Sequence, residues 1–242
     1  MPRKPNFTPR KKRKIHGATF WDQEYTTPAH LKLSTRESAD LAKFTRWLTR
    51  RGRTDLLNAQ GSVLDIGCGN GRNLIYLNEH FALPGIGLDI SQAAIAQARA
   101  ASQARPLSYH VQSAATPLPA ADHSQTLVLD MMTSHFLLAH EREQLYKEIE
   151  RVLIPGGFLF LKTFLRDKDQ HTERLLREHP GPEAGTYIHP VMGVPEYAAY
   201  ESELRDFLAP RFIIHRVYRS HKHQFRGRAR KRRTISIYAE RP

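Results

Sequence analysis

The stretch VLDIGCGNGRNLIYLNEHFALPGIGLD, residues 63–89, decides the predicted fold. It begins with a short apolar strand, 63–66, continues through three spaced glycines, and opens a predicted helix over 71–80. A ligand can approach such a turn closely because glycine lacks a Cβ atom, and the first N–H groups of the helix are unpaired. A second strand, 85–89, ends in Asp89, whose carboxylate can accept hydrogen bonds from both hydroxyls of a ribose. The order of these elements predicts a nucleoside site at the ends of parallel strands.

The glycine spacing distinguishes this loop from a dinucleotide-binding loop. The glycines are Gly67, Gly69 and Gly71, which gives G-x-G-x-G. The position at which a dinucleotide fingerprint carries its third Gly or Ala holds Arg72. An NAD-dependent oxidoreductase is therefore disfavoured.

Short strands and helices alternate along the rest of the chain, and this alternation predicts an α/β fold with a parallel sheet. Ser34-x-x-Glu37 resembles a capping box and is expected to begin the first helix, 35–51. The last two strands follow one another without a helix between them, so we expect them to be antiparallel. The other strands are predicted at 107–112, 126–130, 158–164, 212–218 and 234–238, and the other helices at 91–103, 141–153, 168–178 and 200–208.

Positive charge is concentrated at the two ends of this 242-residue chain, whose formal net charge is +13. Residues 1–14 hold seven basic side chains and residues 211–239 hold ten, with no acidic side chain in either stretch, so the remaining residues sum to −4. Clusters of Lys and Arg bind phosphates and release condensed counterions, which gives affinity for nucleic acid. The predicted RNA contacts are Arg10, Lys11, Lys12, Arg13, Arg226, Arg228, Arg230, Lys231, Arg232 and Arg233.

The composition excludes several other classes of protein. A single Cys cannot form an internal disulfide or supply a thiolate metal cluster. No apolar run is long enough to span a bilayer, and the basic amino terminus leads into no apolar signal segment. A cytoplasmic protein is expected.

Four motifs in order resemble those of the class I S-adenosylmethionine-dependent methyltransferases. They are VLDIGCGNGRN at 63–73, GIGLDIS at 85–91, LPAADHSQTLVLD at 118–130 and EIERVLIPGGFLFLK at 148–162, and the likeness runs from about residue 20 to the end. The resemblance implies a Rossmann-like sheet of seven strands, mostly parallel with the last strand antiparallel and with helices on both faces. It also implies that S-adenosyl-L-methionine is the cofactor.

The resemblance carries over a set of cofactor-binding residues by position. Asp65 and the backbone of Gly67, Cys68 and Gly69 are expected to hold the methionine end, Asp89 the ribose, and Ile90 the adenine. Where many members place an acid after the third strand, this chain has Gln112-Ser113-Ala114. Gly71, Ser113 and Asp130 complete the predicted set. Phe20-Trp21-Asp22-x-x-Tyr25 is similar to an aromatic segment that covers the cofactor in some members, and core packing is the alternative.

Methyl transfer is an in-line displacement that depends mainly on proximity and orientation, so no fixed catalytic residue is expected. The segment after the fourth strand, DMMTSHF at 130–136, lacks the D/N-P-P-aromatic tetrad of many amino-methylating enzymes. Asp130 and His135 are candidates for orienting the acceptor or removing a proton. A structural histidine is the alternative at His135. Weaker candidates are Lys162, Thr163, Tyr187, His189 and His221.

Three histidines near the carboxyl end, at 215, 221 and 223, lack a nearby carboxylate or Cys in sequence, so no metal site is predicted. The predicted organisation is a basic flexible tail, 1–19, and one methyltransferase domain, 20–242. That domain contains a substrate loop, 179–199, and a basic hairpin connection, 219–233. The expected function is methyl transfer to RNA. A small-molecule methyltransferase is the first alternative, and a non-catalytic nucleic-acid-binding protein of the same fold is the second.

Overall fold

The computed structural model describes residues 17–30, 33–220 and 232–242, together with the backbone of 224–225 and 228–229. Seven helices lie in these ranges: α1 (Gly17–Thr26), α2 (Ala39–Arg50), α3 (Arg72–Phe81), α4 (Gln92–Ala101), α5 (Ala139–Val152), α6 (Gln170–Glu178) and α7 (Glu201–Leu208). The strands there are β1 (Val63–Ile66), β2 (Gly85–Asp89), β3 (Leu107–Val111), β4 (Gln125–Met131), β5 (Leu153–Phe164), β6 (Thr186–Ile188), β7 (Pro195–Tyr197), β8 (Ile213–Arg219), β9 (Gln224–Phe225), β10 (Arg228–Ala229) and β11 (Thr234–Glu240).

Seven strands form the main sheet in the order β3-β2-β1-β4-β5-β11-β8. The five strands from β3 to β5 are parallel, whereas β11 pairs antiparallel with both β5 and β8. The order reverses between β1 and β4, and this is the switch point at which open α/β sheets bind ligands. The fold predicted from the sequence is confirmed.

Helices cover both faces because the central strands bury side chains on both sides. In β5, Leu159 and Leu161 belong to one apolar core with side chains of α5 and α7, while Phe158 and Phe160 belong to a second core with side chains of α2, α3 and α4. Alternation along a strand places successive side chains on opposite faces, so one strand supplies both cores.

The first helices differ from the prediction. The helix expected at 35–51 begins at Ala39 with Ser38 as its N-cap, because Ser34 Oγ accepts a hydrogen bond from the backbone N–H of Arg36 at 3.0 Å instead of capping the helix. Helix α1 was not predicted. It begins at Gly17, so the last three residues of the predicted tail belong to the folded domain, and residues 1–16 lie outside the described residues.

The predicted substrate loop and the predicted hairpin connection both contain strands. The stretch 179–199 holds the antiparallel hairpin β6–β7, and Tyr187 of that hairpin is fully buried. The basic connection 219–233 contains the short antiparallel pair β9–β10, and its residues 221–223, 226–227 and 230–231 lie outside the described residues. Among the helices that the structure describes, none is both long enough and apolar enough to cross a membrane.

Candidate functional site

A cavity of about 500 Å³ opens at the carboxyl ends of β1, β2, β4 and β5, beside the switch point. Its volume lies within the usual range of small-molecule sites. The wall combines residues of the glycine loop, the ends of β2 and β3, the segment after β4, helix α1 and the β6–β7 hairpin. These residues are Gly17, Trp21, Tyr25, Leu33, Ser34, Ser38, Gly67, Cys68, Gly69, Asn70, Arg72, Asn73, Leu88, Asp89, Ile90, Gln112, Ser113, Ala114, Met131, Met132, Thr133, Phe136, Leu137, Lys162, Val194 and Pro195.

The glycine loop allows two side chains to approach the backbone. Gly67 and Gly69 have φ of 71° and 55°, in the left-handed region that favours glycine. A Cβ atom at Gly67 would overlap Thr133 Oγ1, and one at Gly69 would overlap Tyr25 Oη. Thr133 Oγ1 donates to Ile66 O at 2.9 Å, so its place against the loop is fixed. The loop is a narrow cradle in which only glycine fits.

Asp89 ends β2 with its carboxylate held at the cavity wall. The backbone N–H of Gly69 donates to Oδ2 at 2.9 Å, and that of Ser91 donates to Oδ1 at 2.9 Å. Burial raises the pKa of Asp89, and these two donors oppose the rise. Each carboxylate oxygen can accept a second hydrogen bond. The geometry suits two vicinal hydroxyls, as expected for a ribose.

Asp65 is a buried carboxyl group that lies behind the cavity wall, only 1% exposed. Its Oδ2 has no hydrogen-bond partner among the described residues. Burial raises the pKa of Asp65 to about 8, although the nearby Arg72 guanidinium lowers it. An unpaired buried oxygen costs free energy, so Asp65 keeps hydrogen-bonding capacity that no described residue uses.

An apolar part of the wall lies beyond Asp89. Ile90 is 38% exposed on this wall, so an aromatic ring could pack against its side chain. Ser113 also lies on the wall, and its Oγ accepts from the N–H of Ala115 at 3.2 Å. The Gln112 amide donates to Pro117 O at 2.7 Å.

Helix α1 covers the cavity. Asp22 Oδ1 accepts from Ser91 Oγ at 2.7 Å and from the N–H of Ala93 at 3.0 Å, which ties α1 to the first turn of α4. Trp21 and Tyr25 therefore face the cavity, whereas Phe20 is buried at 5% exposure. Trp21 and Tyr25 thus lie where a cofactor cover is predicted, and Phe20 packs in the interior.

The structure departs from the sequence prediction at Asp130. The side chain is 0% exposed and does not lie on the cavity wall. Its Oδ1 accepts from the N–H of Ser134 at 3.0 Å, and its Oδ2 accepts from Tyr146 Oη at 2.8 Å. This carboxylate holds the turn after β4 against α5.

His135 and His189 are both predicted as catalytic residues, and the structure places both away from the cavity wall. His135 is 2% exposed, with its ring centroid 4.0 Å from Phe136 and 4.9 Å from Phe164. Burial lowers the pKa of His135 well below its usual value, helped by the Arg232 guanidinium, so the ring is neutral. His189 Nδ1 accepts from two backbone N–H groups of its own turn, each at 3.2 Å. Neither ring lies on the cavity wall.

Lys162 is the one predicted catalytic residue that does lie on the wall. Its Nζ is 2.6 Å from Asp40 Oδ2, and Lys43 Nζ is 3.1 Å from Asp40 Oδ1. Burial alone would raise the pKa of Asp40, but these two ammonium groups keep it below its usual value. Lys162 is thus a paired cation, suited to positioning an acceptor.

Of the remaining weaker candidates, Thr163 and Tyr187 lie away from the wall. Thr163 is buried at 4% exposure, and Tyr187 donates its hydroxyl to Glu196. His215 Nε2 lies 2.6 Å from Glu240 Oε2, and His221 and His223 are outside the described residues.

Sequence reasoning missed the residues that form the far end of the cavity. Thr133, Phe136 and Leu137 follow β4 and line the cavity. The prediction names their neighbours Asp130 and His135 because those side chains can exchange a proton. The stretch 179–199 contributes only Val194 and Pro195 to the wall. Apolar side chains in an irregular segment carry no signal of their own in a single sequence.

Two of the predicted RNA contacts, Arg232 and Arg233, make contacts within the protein. The Arg232 guanidinium pairs with Glu196 and lies 3.2 Å over the Phe164 ring centroid, and the N–H of Arg233 donates to Asp169 Oδ2 at 2.8 Å. A buried partner carboxylate draws the Arg232 side chain inward. Of the others, only the backbone of Arg228 is described, and Arg10, Lys11, Lys12, Arg13, Arg226, Arg230 and Lys231 lie outside the described residues.

Comparison with known proteins gives a consistent picture. A family described as "Methyltransferase domain" matches residues 64–161. The tRNA U34 carboxymethyltransferase of Idiomarina loihiensis is 30% identical over 129 residues, which are 52% of this chain and 40% of that protein. The O-methyltransferase resE of Aspergillus sclerotiorum is 29% identical over 182 residues, 72% of this chain and 62% of that protein. The chain thus matches less than two thirds of the length of either relative.

A solved structure extends the similarity to the whole fold. The crystal structure of a SAM-dependent methyltransferase from Methanosarcina mazei superimposes with a TM-score of 0.63 at 25% sequence identity. The match covers 77% of this chain and 95% of that chain.

Proposed function

Because this chain belongs to the class I S-adenosylmethionine-dependent methyltransferases, we propose that it transfers a methyl group to a nucleophile on RNA. The observation that carries the methyl transfer is the cavity itself. Its wall includes the glycine cradle and Asp89 together with Phe136 and Val194, and the unpaired Asp65 oxygen lies behind that wall.

The cofactor of the family is S-adenosylmethionine, which supplies an electrophilic methyl group when bound. The residues present fit it. The glycine loop and Asp65 would hold its methionine end, Asp89 its ribose, and Ile90 its adenine. Trp21 and Tyr25 on α1 would exclude water from this end of the cavity.

The described side chains that line the acceptor part of the cavity can orient an acceptor, but they include no strong base. The phenol of Tyr25 and the thiol of Cys68 are neutral, because burial raises the pKa of each well above its usual value. Lys162 is paired with Asp40. No histidine lies on the cavity wall among the described residues. The site therefore favours an acceptor that needs no strong base, with proximity and alignment supplying the rate.

The RNA acceptor is supported by charge and by one relative. The chain carries +13 overall, with basic stretches at both ends of an acidic body. The curated relative at 30% identity is, by its name, an enzyme of tRNA U34. Lysine and arginine clusters provide the phosphate contacts that such a substrate needs.

A small-molecule acceptor is the second candidate. The far end of the cavity is apolar, lined by Leu33, Phe136, Leu137, Val194 and Pro195. The relative at 29% identity is, by its name, an O-methyltransferase. A compact apolar acceptor would bury its surface there.

One experiment separates the two candidates. Labelled methyl transfer from S-adenosylmethionine into fractionated cell extract is measured with and without ribonuclease. We expect label in a ribonuclease-sensitive fraction. The Asp89→Ala variant, which lacks the carboxylate at the ribose position, controls for label that does not depend on this site. Label in a small-molecule fraction would overturn the RNA acceptor, and no transfer at all would overturn the methyltransferase activity.

A further inference from the structure

A second cavity, of about 300 Å³, lies on the outer surface of α2 beside the edge strand β8. It is lined by Lys43, Arg46, Trp47, Arg50 and Tyr218, and we refer to it as the α2–β8 groove. No acidic side chain contributes to its lining. The groove therefore combines positive charge with two aromatic rings.

The three cations form one row. Lys43, Arg46 and Arg50 are spaced three and four residues apart on α2, so they project from the same side of the helix. All three are exposed. In the part of the chain that the structure describes, no carboxylate pairs with Arg46 or Arg50, so both guanidinium groups are free to bind a phosphate.

The aromatic rings are held in place from behind. Trp47 packs against Phe158 and Tyr238, with ring centroids 5.6 and 5.3 Å apart. Tyr218 packs against Tyr238 at 5.4 Å and is nevertheless 50% exposed. A rigid, half-exposed ring is a platform on which an unpaired base can stack, whatever its identity.

The groove adjoins the methyl-donor cavity through a single side chain. Asp40 binds Lys43 of the groove at 3.1 Å with one oxygen and Lys162 of the cavity wall at 2.6 Å with the other. A strand lying in the groove would thus have its neighbouring nucleotide at the Lys162 side of the cavity.

We infer that the α2–β8 groove binds single-stranded RNA, with phosphates on Arg46 and Arg50 and a base on Tyr218. The inference rests on the proposed RNA acceptor and names the part of the chain that holds the nucleotides next to the methylated one. Paired RNA fits less well, because its bases are not available for stacking on Tyr218. An acidic membrane surface would bind the cations but would not need the Tyr218 ring, and the test distinguishes it from RNA.

The test measures binding of a fluorescently labelled single-stranded RNA of mixed sequence to the full chain by anisotropy over a series of salt concentrations. The Arg46→Gln/Arg50→Gln variant should lower the slope of log affinity against log salt by about 1.4, since each phosphate contact to a single strand contributes about 0.7. Tyr218→Ala should weaken binding at least about fivefold, while Tyr218→Phe, which keeps the stacking ring, should retain affinity.

The matched control is Lys147→Gln/Arg205→Gln. It removes the same two charges from α5 and α7, which pack on the opposite face of the sheet. It also leaves both partner carboxylates paired, because Glu143 keeps Arg211 and Glu201 keeps Arg219. This variant should leave the salt slope unchanged.

Each alternative result overturns a different statement. If the wild-type chain binds and methylates RNA but the groove variants behave like the control, the groove assignment is wrong and the proposed function stands. If the wild-type chain does not bind RNA, both fail. A third result would assign the groove to a membrane surface. In that case anionic phosphatidylglycerol vesicles bind in a way that depends on Arg46 and Arg50 but not on Tyr218, and the groove variants do not change RNA binding.

Discussion

At the scale of single residues, Asp65 links cofactor binding to pH. Burial raises its pKa to about 8 despite the nearby Arg72 guanidinium, so the carboxyl group is mostly protonated at pH 7. A bound ammonium group would stabilise the ionised form and lower that pKa. Binding should then release a proton at pH 7, and the affinity should rise as the pH increases toward 8 and level off above it.

This linkage is measured by calorimetry of S-adenosylhomocysteine binding between pH 6 and 9, in buffers with different ionisation enthalpies. Asp65→Asn cannot release the proton, so the pH dependence should flatten. The same proton release from the Asn variant would assign the linkage to another group.

The glycine loop gives a second prediction at the same scale. Gly67→Ala should lower the free energy of unfolding by roughly 2–4 kcal/mol, because the left-handed conformation is strained and Thr133 must leave its hydrogen bond to Ile66 O. Gly52→Ala is the matched control: its φ is 73° and nothing lies within 4 Å of the added Cβ. It should cost about 1–2 kcal/mol. If urea unfolding gives the same loss of stability for both variants, the contact between Thr133 and the glycine loop is not tight.

At the scale of elements, the strands could be read from the sequence better than the segments that complete the site. A run of apolar residues directly before a glycine turn is typical of a buried parallel strand. The residues Val63, Leu64 and Ile66 therefore predict β1. Helix α1 gave no such signal. Its buried side chains are Phe20 and Glu24, too few for a helical pattern, and its position depends on the contact of Asp22 with α4.

The same limit applies to side-chain roles. Asp130 and His135 stand where catalytic groups are expected, but the sequence does not show that Tyr146 and Ser134 bind the carboxylate or that Phe164 covers the ring. Asp89 could be placed correctly because a residue at the carboxyl end of a parallel strand has a position fixed by the fold.

Helix α1 should behave as a cover whose opening depends on Asp22. Asp22→Ala removes the two hydrogen bonds to the start of α4, so amide hydrogen exchange over residues 17–26 should accelerate. Added S-adenosylhomocysteine should slow exchange in this segment of the wild-type chain. Asp122→Ala, at an exposed carboxylate that pairs with Arg151, should leave it unchanged. Exchange that does not respond to the ligand would mean that α1 does not cover it.

At the scale of the whole molecule, the positive charge of the first 14 residues predicts that RNA binding and cofactor binding can be separated. A chain lacking residues 1–14 loses seven basic side chains and no acidic ones. Its salt slope for single-stranded RNA should fall by at most about 5, the value reached if every one of them contacts a phosphate. Its affinity for S-adenosylhomocysteine in calorimetry should not change. An unchanged slope would assign RNA binding to the folded domain alone.

The position of β11 between β5 and β8 has a consequence for synthesis of the chain. The ribosome completes β8 before it makes the strand that must lie between β8 and its neighbour in the sheet. During that interval β5 has an open edge, and β8, which runs parallel to β5, is free to occupy the place of β11. A nascent chain paired in this way would have to release β8 before β11 could enter. Access to chaperones as the chain leaves the ribosome should therefore influence the yield of native protein.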